Sequence, residues 1–233
     1  KTLYTPEARS YTLQSGQDVV DVRLRAATNE AEVVKQYRFK RGSYEIEVSY
    51  DVKNRTDKPI SPFAYFQFLR DGNPPSSKAA QTSSFAGVTT FTGPAVYNEE
   101  AKFHKVDFKD IDKGKQSHAK KSKDGWIALV QHYFVSAWLP RQGVDREFFT
   151  SKVGDNLYTA GVIVPVPAVA PGATSTVTVP LYIGPQETEN LERVAPGLNL
   201  VVDYGWLYII TAPLFWLLKW IHGVVGNWGW SII

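Results

Sequence analysis

Cysteine is absent from this 233-residue sequence, and so is a strong excess of charge of either sign. Without cysteine there can be no disulfide, no thiolate metal site and no thiol nucleophile. The 26 basic and 23 acidic side chains leave a net charge of +3, which is too small over this length to indicate a nucleic-acid partner. These absences exclude whole classes of chemistry but leave the fold open.

Catalytic and metal-binding motifs are lacking as well. The sequence contains no nucleophile elbow, no phosphate-binding P-loop and no dinucleotide fingerprint. His104, His118 and His132 follow one another at intervals of fourteen residues, which is not the spacing of metal ligands. Asn54-Arg55-Thr56 matches the glycosylation sequon, but asparagine is common at hairpin ends for turn reasons alone. We therefore expect no enzyme, no catalytic residue, no metal and no cofactor.

A helical period is scarce before residue 186, whereas a period of two is frequent. Apolar and polar residues alternate over 44–53, which predicts a strand with one buried face. Arg41-Gly42 separates two such runs and predicts a hairpin. Ile183 is expected on the buried face of another strand, together with Val177. The runs that predict further strands are 20–25, 60–69, 88–97, 126–139, 157–166 and 177–183. The pattern predicts a mainly β fold, an antiparallel sandwich.

Two segments depart from the strand pattern. Residues 99–124 contain eight lysines and six acidic residues, which predicts a solvated hairpin and loop. Residues 186–195 have the composition of a short helix that ends at Pro196-Gly197.

The last 33 residues differ in composition from the rest. Asp203 and Lys219 are their only charged residues besides His222. Their eight aromatic residues are Tyr204, Trp206, Tyr208, Phe215, Trp216, Trp220, Trp228 and Trp230. The first 200 residues have the composition of a water-soluble domain. We therefore expect the two parts of the chain to face two different solvents.

Helical spacing divides this tail into two faces. A stripe that is polar at five of its six positions consists of Tyr204, Tyr208, Thr211, Phe215, Lys219 and His222. The opposite, apolar face consists of Trp206, Ile209, Ile210, Pro213, Trp216, Leu217, Trp220 and Ile221. Such a face predicts a helix over 203–222 that lies in the membrane interface, with tryptophan at headgroup level. The alternative is a hydrophobic helix buried against the sandwich.

The end of the sequence has a pattern of its own. Pro213 can start a second helical section or kink the first. Residues 226–230 break the helical pattern, and Ser231-Ile232-Ile233 ends on rising hydrophobicity, as the start of a transmembrane helix does. The residues that we expect at the membrane interface are Trp206, Ile210, Pro213, Phe215, Trp216, Leu217, Lys219 and Trp220.

Specific motifs in the tail resemble the YidC family of bacterial membrane-protein insertases, at the entry to the second transmembrane helix. These motifs are Asp203-Tyr204-Gly205-Trp206, Pro213-Leu214-Phe215-Trp216, Lys219-Trp220-Ile221-His222 and Gly226-Asn227-Trp228-Gly229. Further motifs are similar to the large periplasmic domain of that family. They are Phe39-Lys40-Arg41-Gly42-Ser43-Tyr44, Gly125-Trp126-Ile127-Ala128-Leu129, Tyr133-Phe134, Ala137-Trp138-Leu139-Pro140 and Val194-Ala195-Pro196.

The resemblance implies an architecture. Residues 1–185 would form a periplasmic β-supersandwich that lacks its first strands, followed by a short helix and linker over 186–200. An amphipathic interfacial helix would occupy 201–225, and a transmembrane helix would start within 226–233. A membrane anchor would precede the sequence, and the insertase core of five transmembrane helices would follow it.

The resemblance also implies a function. The protein would lie on the periplasmic side of the inner membrane of a Gram-negative bacterium and help to insert and fold membrane proteins. Its partners would be the inner membrane, the Sec translocon, the SecDF accessory complex and nascent membrane proteins, with no nucleic acid. One alternative is a sugar-binding or aldose-epimerase-like supersandwich, against which the scattered histidines argue. Another is a periplasmic β-domain with a single membrane anchor.

Overall fold

The computed structural model describes residues 3–73, 91–202 and 208–232. Antiparallel strands dominate these residues, which confirms the predicted mainly β fold. The strands are β1 (Thr5–Pro6), β2 (Val19–Ala27), β3 (Ala31–Lys40), β4 (Glu45–Asn54), β5 (Phe63–Asp71), β6 (Gly93–Asn98), β7 (Lys102–Lys105), β8 (Lys121–Ser122), β9 (Trp126–Val130), β10 (Phe134–Trp138), β11 (Arg146–Gly154), β12 (Leu157–Pro165) and β13 (Thr174–Pro185). The helices are α1 (Phe108–Asp112), α2 (Thr188–Val194), α3 (Tyr208–Val225) and α4 (Trp228–Ile232), with a 3₁₀ turn at Leu198–Val201.

The strands form two sheets. The larger sheet has the order β1-β2-β3-β4-β13-β10-β9-β6-β7, and the smaller sheet has the order β5-β12-β11-β8. Sequential strands pair directly in the β2-β3-β4 meander, where the predicted hairpin at Arg41-Gly42 joins β3 to β4. Strand β13 returns from the end of the domain to pair with β4 on one side and β10 on the other.

The main core lies between the two sheets. Alternate residues of the facing strands supply it, as the period of two predicts. Phe66 of the smaller sheet packs against Tyr50 and Trp138 of the larger one, with ring centroids 5.2 Å apart in each pair. Val48 and Phe148 are fully buried in the same cluster.

One strand changes its buried side near its end. Ile183 of β13 is exposed, whereas its neighbour Tyr182 is fully buried, so the prediction for Ile183 is wrong. Tyr182 is buried on the opposite side of β13 because the segment that includes α2 covers that side. The Tyr182 hydroxyl accepts a hydrogen bond from Asn190 Nδ2 at 3.3 Å and donates one to the Pro185 carbonyl at 2.9 Å.

The lysine-rich segment 99–124 contains more structure than predicted. It provides the expected β6–β7 hairpin, but also the short helix α1, which sequence reasoning missed. Val106 and Ile111 are buried against Tyr158, and the Phe108 ring lies 4.7 Å from the Tyr158 ring. These few apolar side chains fix α1 because they find a buried site, although the charges around them remain solvated.

The predicted short helix over 186–195 is present as α2, Thr188–Val194. Leu191 of α2 is fully buried, and Leu198 and Val201 of the following turn are buried as well. The described residues separate into two compact units, with the sandwich up to Val201 in one and α3 with α4 in the other.

Candidate membrane-interface site

Helix α3 carries the candidate site. It is a single helix over Tyr208–Val225 with Pro213 inside it. Because proline has no N–H, the bond to the carbonyl four residues earlier is missing at this point. Trp216 and Trp220 lie on one face at helical spacing and expose 67% and 60% of their surface. An apolar face with two exposed tryptophans is unusual in water and typical of an interface.

The predicted polar stripe of α3 contains one large apolar residue, Phe215, and a charged side chain lies close to it. Lys219 Nζ lies 5.2 Å from the centroid of the Phe215 ring, one helical turn earlier. This cation–π contact places a charge over the one large apolar residue of the stripe. The division of the helix into a polar stripe and an apolar face stays a prediction from the sequence.

The structure describes most of the residues predicted for the interface. Trp206 lies outside the described residues, and Ile210 belongs to α3 without a described side chain. The exposed members are Pro213, Phe215, Trp216, Leu217, Lys219 and Trp220. They occupy about two turns of α3, with Pro213, Trp216, Leu217 and Trp220 on the predicted apolar face and Phe215 and Lys219 on the predicted stripe opposite it.

A glycine ends α3, and an asparagine directly after it begins α4. The Gly226 N–H donates to the His222 carbonyl at 2.7 Å, and Gly226 has a φ of +70°, a conformation in which glycine is favoured. The Asn227 side chain then accepts from the Gly229 N–H at 2.8 Å and caps α4. Within the described ranges no helix is both long enough and apolar enough to span a bilayer. The start of a transmembrane helix at 226–233 stays a prediction.

A buried tryptophan anchors the segment that leads to α3. Trp126 donates its Nε1–H to the Pro196 carbonyl at 2.9 Å and stacks on Tyr97, with ring centroids 5.6 Å apart. Gly125 precedes it with a φ of +84°, and a Cβ at Gly125 would overlap the Tyr97 carbonyl oxygen. Two motifs that lie seventy residues apart in the sequence thus meet in the fold. We call Tyr97, Trp126 and Pro196 the tryptophan anchor.

Sequence reasoning missed Arg146, which is buried under this anchor. Its guanidinium donates to the carbonyls of Gly125 at 2.7 Å, Lys123 at 2.9 Å and Pro140 at 3.1 Å. It also donates to the carbonyls of Arg141 and Val144. Burial lowers the pKa of Arg146 to about 10, so it remains charged at neutral pH. No sequence motif marks it, because its partners are backbone atoms.

The other candidate sites have structural roles. Asn54 of the sequon is fully buried, and its Nδ2 donates to the Lys58 and Val169 carbonyls at 2.6 and 2.9 Å. His118 bonds to the Thr150 hydroxyl at 3.1 Å, and burial lowers its pKa. In the part of the chain that the structure describes, no three His, Asp or Glu residues are grouped so that they could hold a metal.

Comparison with known proteins assigns the family. The model of the YidC periplasmic domain matches residues 1–217. The chain belongs to the YidC family. The chain is 54% identical, over its whole length, to a membrane protein insertase YidC of Aromatoleum aromaticum and covers 42% of that protein. It is 51% identical to the YidC of Nitrosospira multiformis, again over its whole length, and covers 40% of it. The chain thus spans less than half the length of these curated relatives.

A solved structure of another protein has a similar fold. The galactosidase domain of an alpha-galactosidase–sucrose kinase matches with a TM-score of 0.50 at 12% identity, over 82% of this chain and 29% of that one. At this identity the likeness shows the fold alone. YidC insertases are not enzymes, so the alternative of an aldose-epimerase-like enzyme finds no support in the family.

Proposed function

We propose that this chain is the periplasmic and membrane-interface part of a membrane-protein insertase in the inner membrane of a Gram-negative bacterium. Its clients are nascent membrane proteins, which it helps to insert and fold. The relatives named YidC support the activity, and the family model supports the periplasmic position. The Sec translocon and the SecDF complex are the partners that the family resemblance suggests.

The observation that carries the interfacial role is the exposed apolar face of α3. Burial of a large apolar side chain contributes about 1.5–3 kcal/mol when it is complete. Trp216, Leu217 and Trp220 together therefore provide several kcal/mol if they enter a lipid interface, even when they enter it only in part. Little free energy is lost by bringing charge to the interface, because Lys219 is the one residue of α3 with a formal charge and it lies on the opposite stripe.

The role that we propose for this part of the chain is a mechanical link. The tryptophan anchor holds residues 196–201 on the sandwich, and the chain leaves this fixed point toward α3. A helix that rests in the interface then links the sandwich to the membrane-spanning part of the insertase. The role needs no reacting group, which agrees with the structural roles of Asn54, His118 and Arg146.

A pair of variants tests this function, with vesicle flotation measured on the 233-residue chain and client insertion measured on the full-length protein. Trp216→Lys places a charge on the apolar face and should release α3 from neutral vesicles in a flotation assay and lower client insertion. Tyr208→Lys, on the predicted polar stripe, is the matched control and should have a mild effect. Equal damage by both variants would mean that the helix has no privileged face and would contradict the proposal.

The proposed partners need a separate measurement. Co-purification of the full-length protein with the Sec translocon and SecDF, from solubilised membranes, should recover both complexes. Recovery of clients without either complex would leave the insertase function in place and remove these partners.

A further inference from the structure

An open groove lies between the two sheets on the side of β5. We infer that this groove binds an extended, largely apolar peptide segment of a client, which adds to β5 as a further strand and places an acidic side chain beside Lys35. The inference rests on the proposed function in taking nascent membrane proteins as the source of such segments.

Strand β5 has a free edge. It pairs with β12 over nine residues without a bulge, and no strand within the described residues pairs with its other side. From Phe63 to Leu69 it contains no charged residue and no proline. Edge strands usually carry a lysine, a proline or a bulge that prevents pairing with another chain. Strand β5 has none of these over most of its length, so its free N–H and C=O groups can pair with a further strand.

A cavity of about 260 Å³ lies against this free edge. Phe63, Ala64 and Tyr65 all line the cavity. Consecutive residues of a strand point to opposite faces, so a cavity that touches all three lies beside the strand, on the side that β12 leaves free. The opposite wall belongs to the larger sheet and includes Ala31 and Val33 of β3. All the lining residues are uncharged, and the others are Tyr4, Tyr50, Val52, Pro62 and Val166.

The larger sheet continues beyond the edge of the smaller one. Phe66 of β5 packs on Tyr50 of β4, and β3 and β2 follow β4 in the order of the larger sheet. Neighbouring strands of a sheet lie about 4.8 Å apart, so a strand added to β5 would lie over the inner face of β3. The side chains on this face of β2 and β3 that such a strand would help to cover are only half-buried: Val20, Val22, Leu24, Val33, Lys35 and Tyr37.

Lys35 brings a charge to this otherwise apolar face. Its Nζ lies 4.8 Å from the centroid of the Tyr37 ring and 5.2 Å from that of Tyr50. Among the described residues, the ion pairs of β3 belong to Glu32 and Arg38 on the outer face, and none includes Lys35. A half-buried cation beside ring faces and without a carboxylate attracts an anionic group. An acidic side chain on the added strand would supply this group, because Lys35 pairs in register with Tyr50, whose ring packs on β5.

These features together select one class of ligand. A row of backbone donors and acceptors is satisfied by another extended backbone and not by an acyl chain or a sugar ring. The inner side of the added strand would meet Val33 and Tyr37. Its outer side would lie beside Phe63, Tyr65 and Leu69, which expose 62%, 57% and 60% of their surface. Both sides are apolar, which favours an apolar segment over an amphipathic one. Long apolar segments are what a nascent membrane protein provides.

A synthetic strand tests the groove directly. The probe is a fluorescein-labelled peptide of about nine residues, made of valine and threonine with glutamate at its centre and lysine at each end. Fluorescence anisotropy should show that it binds both the 233-residue chain and the full-length protein. The same peptide with its backbone nitrogens methylated between the two lysines cannot donate to β5 and should bind at least about tenfold more weakly. Equal affinity of the two peptides would overturn the inference.

Hydrogen exchange locates the added strand. The probe peptide should slow the exchange of backbone amides over residues 63–69 of β5. Strand β7, which is the edge of the larger sheet, is the control and should be unchanged. Binding of the peptide without protection of β5 would place it elsewhere and overturn the inference.

An exchange of charges tests the contact at Lys35. Lys35→Glu should bind the glutamate peptide about tenfold more weakly than the wild type and should instead prefer a peptide with lysine at its centre. Lys35→Gln only removes the charge and should bind the glutamate peptide and a glutamine peptide equally well. Lys53→Glu is the matched control, because Lys53 is exposed on the outer face of β4 and the net charge changes equally. Its affinities should stay within about twofold of the wild type.

Circular dichroism checks that the three variants are folded. If Lys35→Glu and Lys53→Glu change the affinities alike, net charge and not the groove determines binding, and the inference is overturned. A Lys35→Gln variant that still prefers the glutamate peptide would also overturn it.

Trp216→Lys separates this inference from the proposed function. Its change lies on α3, so its affinity for the glutamate peptide should equal that of the wild type even when it no longer floats with neutral vesicles. A chain that binds the peptide at β5 but never binds vesicles would contradict the role of α3 and support the groove. A chain that binds vesicles but not the peptide would overturn the inference and leave the role of α3 in place.

Other occupants of the groove give different results. If the 233-residue chain binds the peptide and the full-length protein does not, another part of the same protein fills the groove and the inference is overturned. If the chain self-associates in size-exclusion chromatography and the peptide does not reverse this, a second copy pairs with β5, which overturns it as well.

Discussion

Tryptophan has opposite environments in the two regions of this molecule. In the sandwich, Trp126 and Trp138 are buried, with a hydrogen bond at the former and ring contacts to both. In α3, Trp216 and Trp220 project from a helix and remain exposed. The residue type is the same, and only the periodicity of its neighbours differs. A period of two lets one face of a sheet pack on another sheet, whereas a helical period gathers apolar side chains into a stripe along one helix.

The largest expected effect is on the free energy of unfolding, when a tryptophan is removed from each of the two environments. Trp126→Ala removes a fully packed ring and the bond to Pro196, so the free energy of unfolding should fall by about 3–5 kcal/mol. Trp216→Ala should change it by less than about 0.5 kcal/mol, because the side chain is exposed. Urea unfolding followed by circular dichroism measures both. Similar losses would mean that α3 is as well packed as the sandwich, against the comparison drawn above.

A second, smaller effect concerns the two cations of these regions. Arg146 is buried and bonded to carbonyls, whereas Lys219 lies over a ring on the surface. Arg146→Lys keeps the charge but loses the planar fork, leaving carbonyls without donors, so stability should fall by about 2–3 kcal/mol. Arg141→Lys, close by and exposed, should cost less than about 0.5 kcal/mol. If the two variants unfold at the same urea concentration, the guanidinium does not organise this end of the sandwich.

The smallest effect is a dependence on pH that belongs to the sandwich alone. Burial lowers the pKa of His118 below its usual value of 6.5, with smaller contributions from Lys120 and His104 that act in the same direction and an opposing one from the Ala119 carbonyl. The unfolded chain therefore binds a proton more readily, and the free energy of unfolding falls as the pH drops below 6.5.

His118→Gln should flatten this slope between about pH 7.5 and about pH 5, measured by urea unfolding at each pH. The carboxyl of Asp112, whose pKa is lowered by Lys152 and Tyr158, loses its contribution only as the pH falls below its usual 3.8. That loss lies outside the window and remains in both proteins. An unchanged slope in the variant would show that His118 is not the group responsible.

Periodicity predicted the parts of the fold that local pattern controls. The alternation over 44–53 gave a strand, and Arg41-Gly42 gave a hairpin, because side chains on one pleated face share one environment. The composition of 186–195 likewise predicted α2. Helix α1 was missed because its five residues are too few for a period, and its position depends on a tyrosine from β12.

The sequence by itself determined the mainly β fold, the position of most of the longer strands and the short helix α2, whereas β11 lies in no predicted run. These properties follow from the spacing of neighbouring residues along the chain. Only the tertiary structure decided that Arg146 joins five carbonyls, that Tyr182 and not Ile183 is buried, and that Trp126 meets Pro196. The physical reason is the same in each case: the partner is a backbone atom or a covering segment distant in sequence, and no local pattern encodes it.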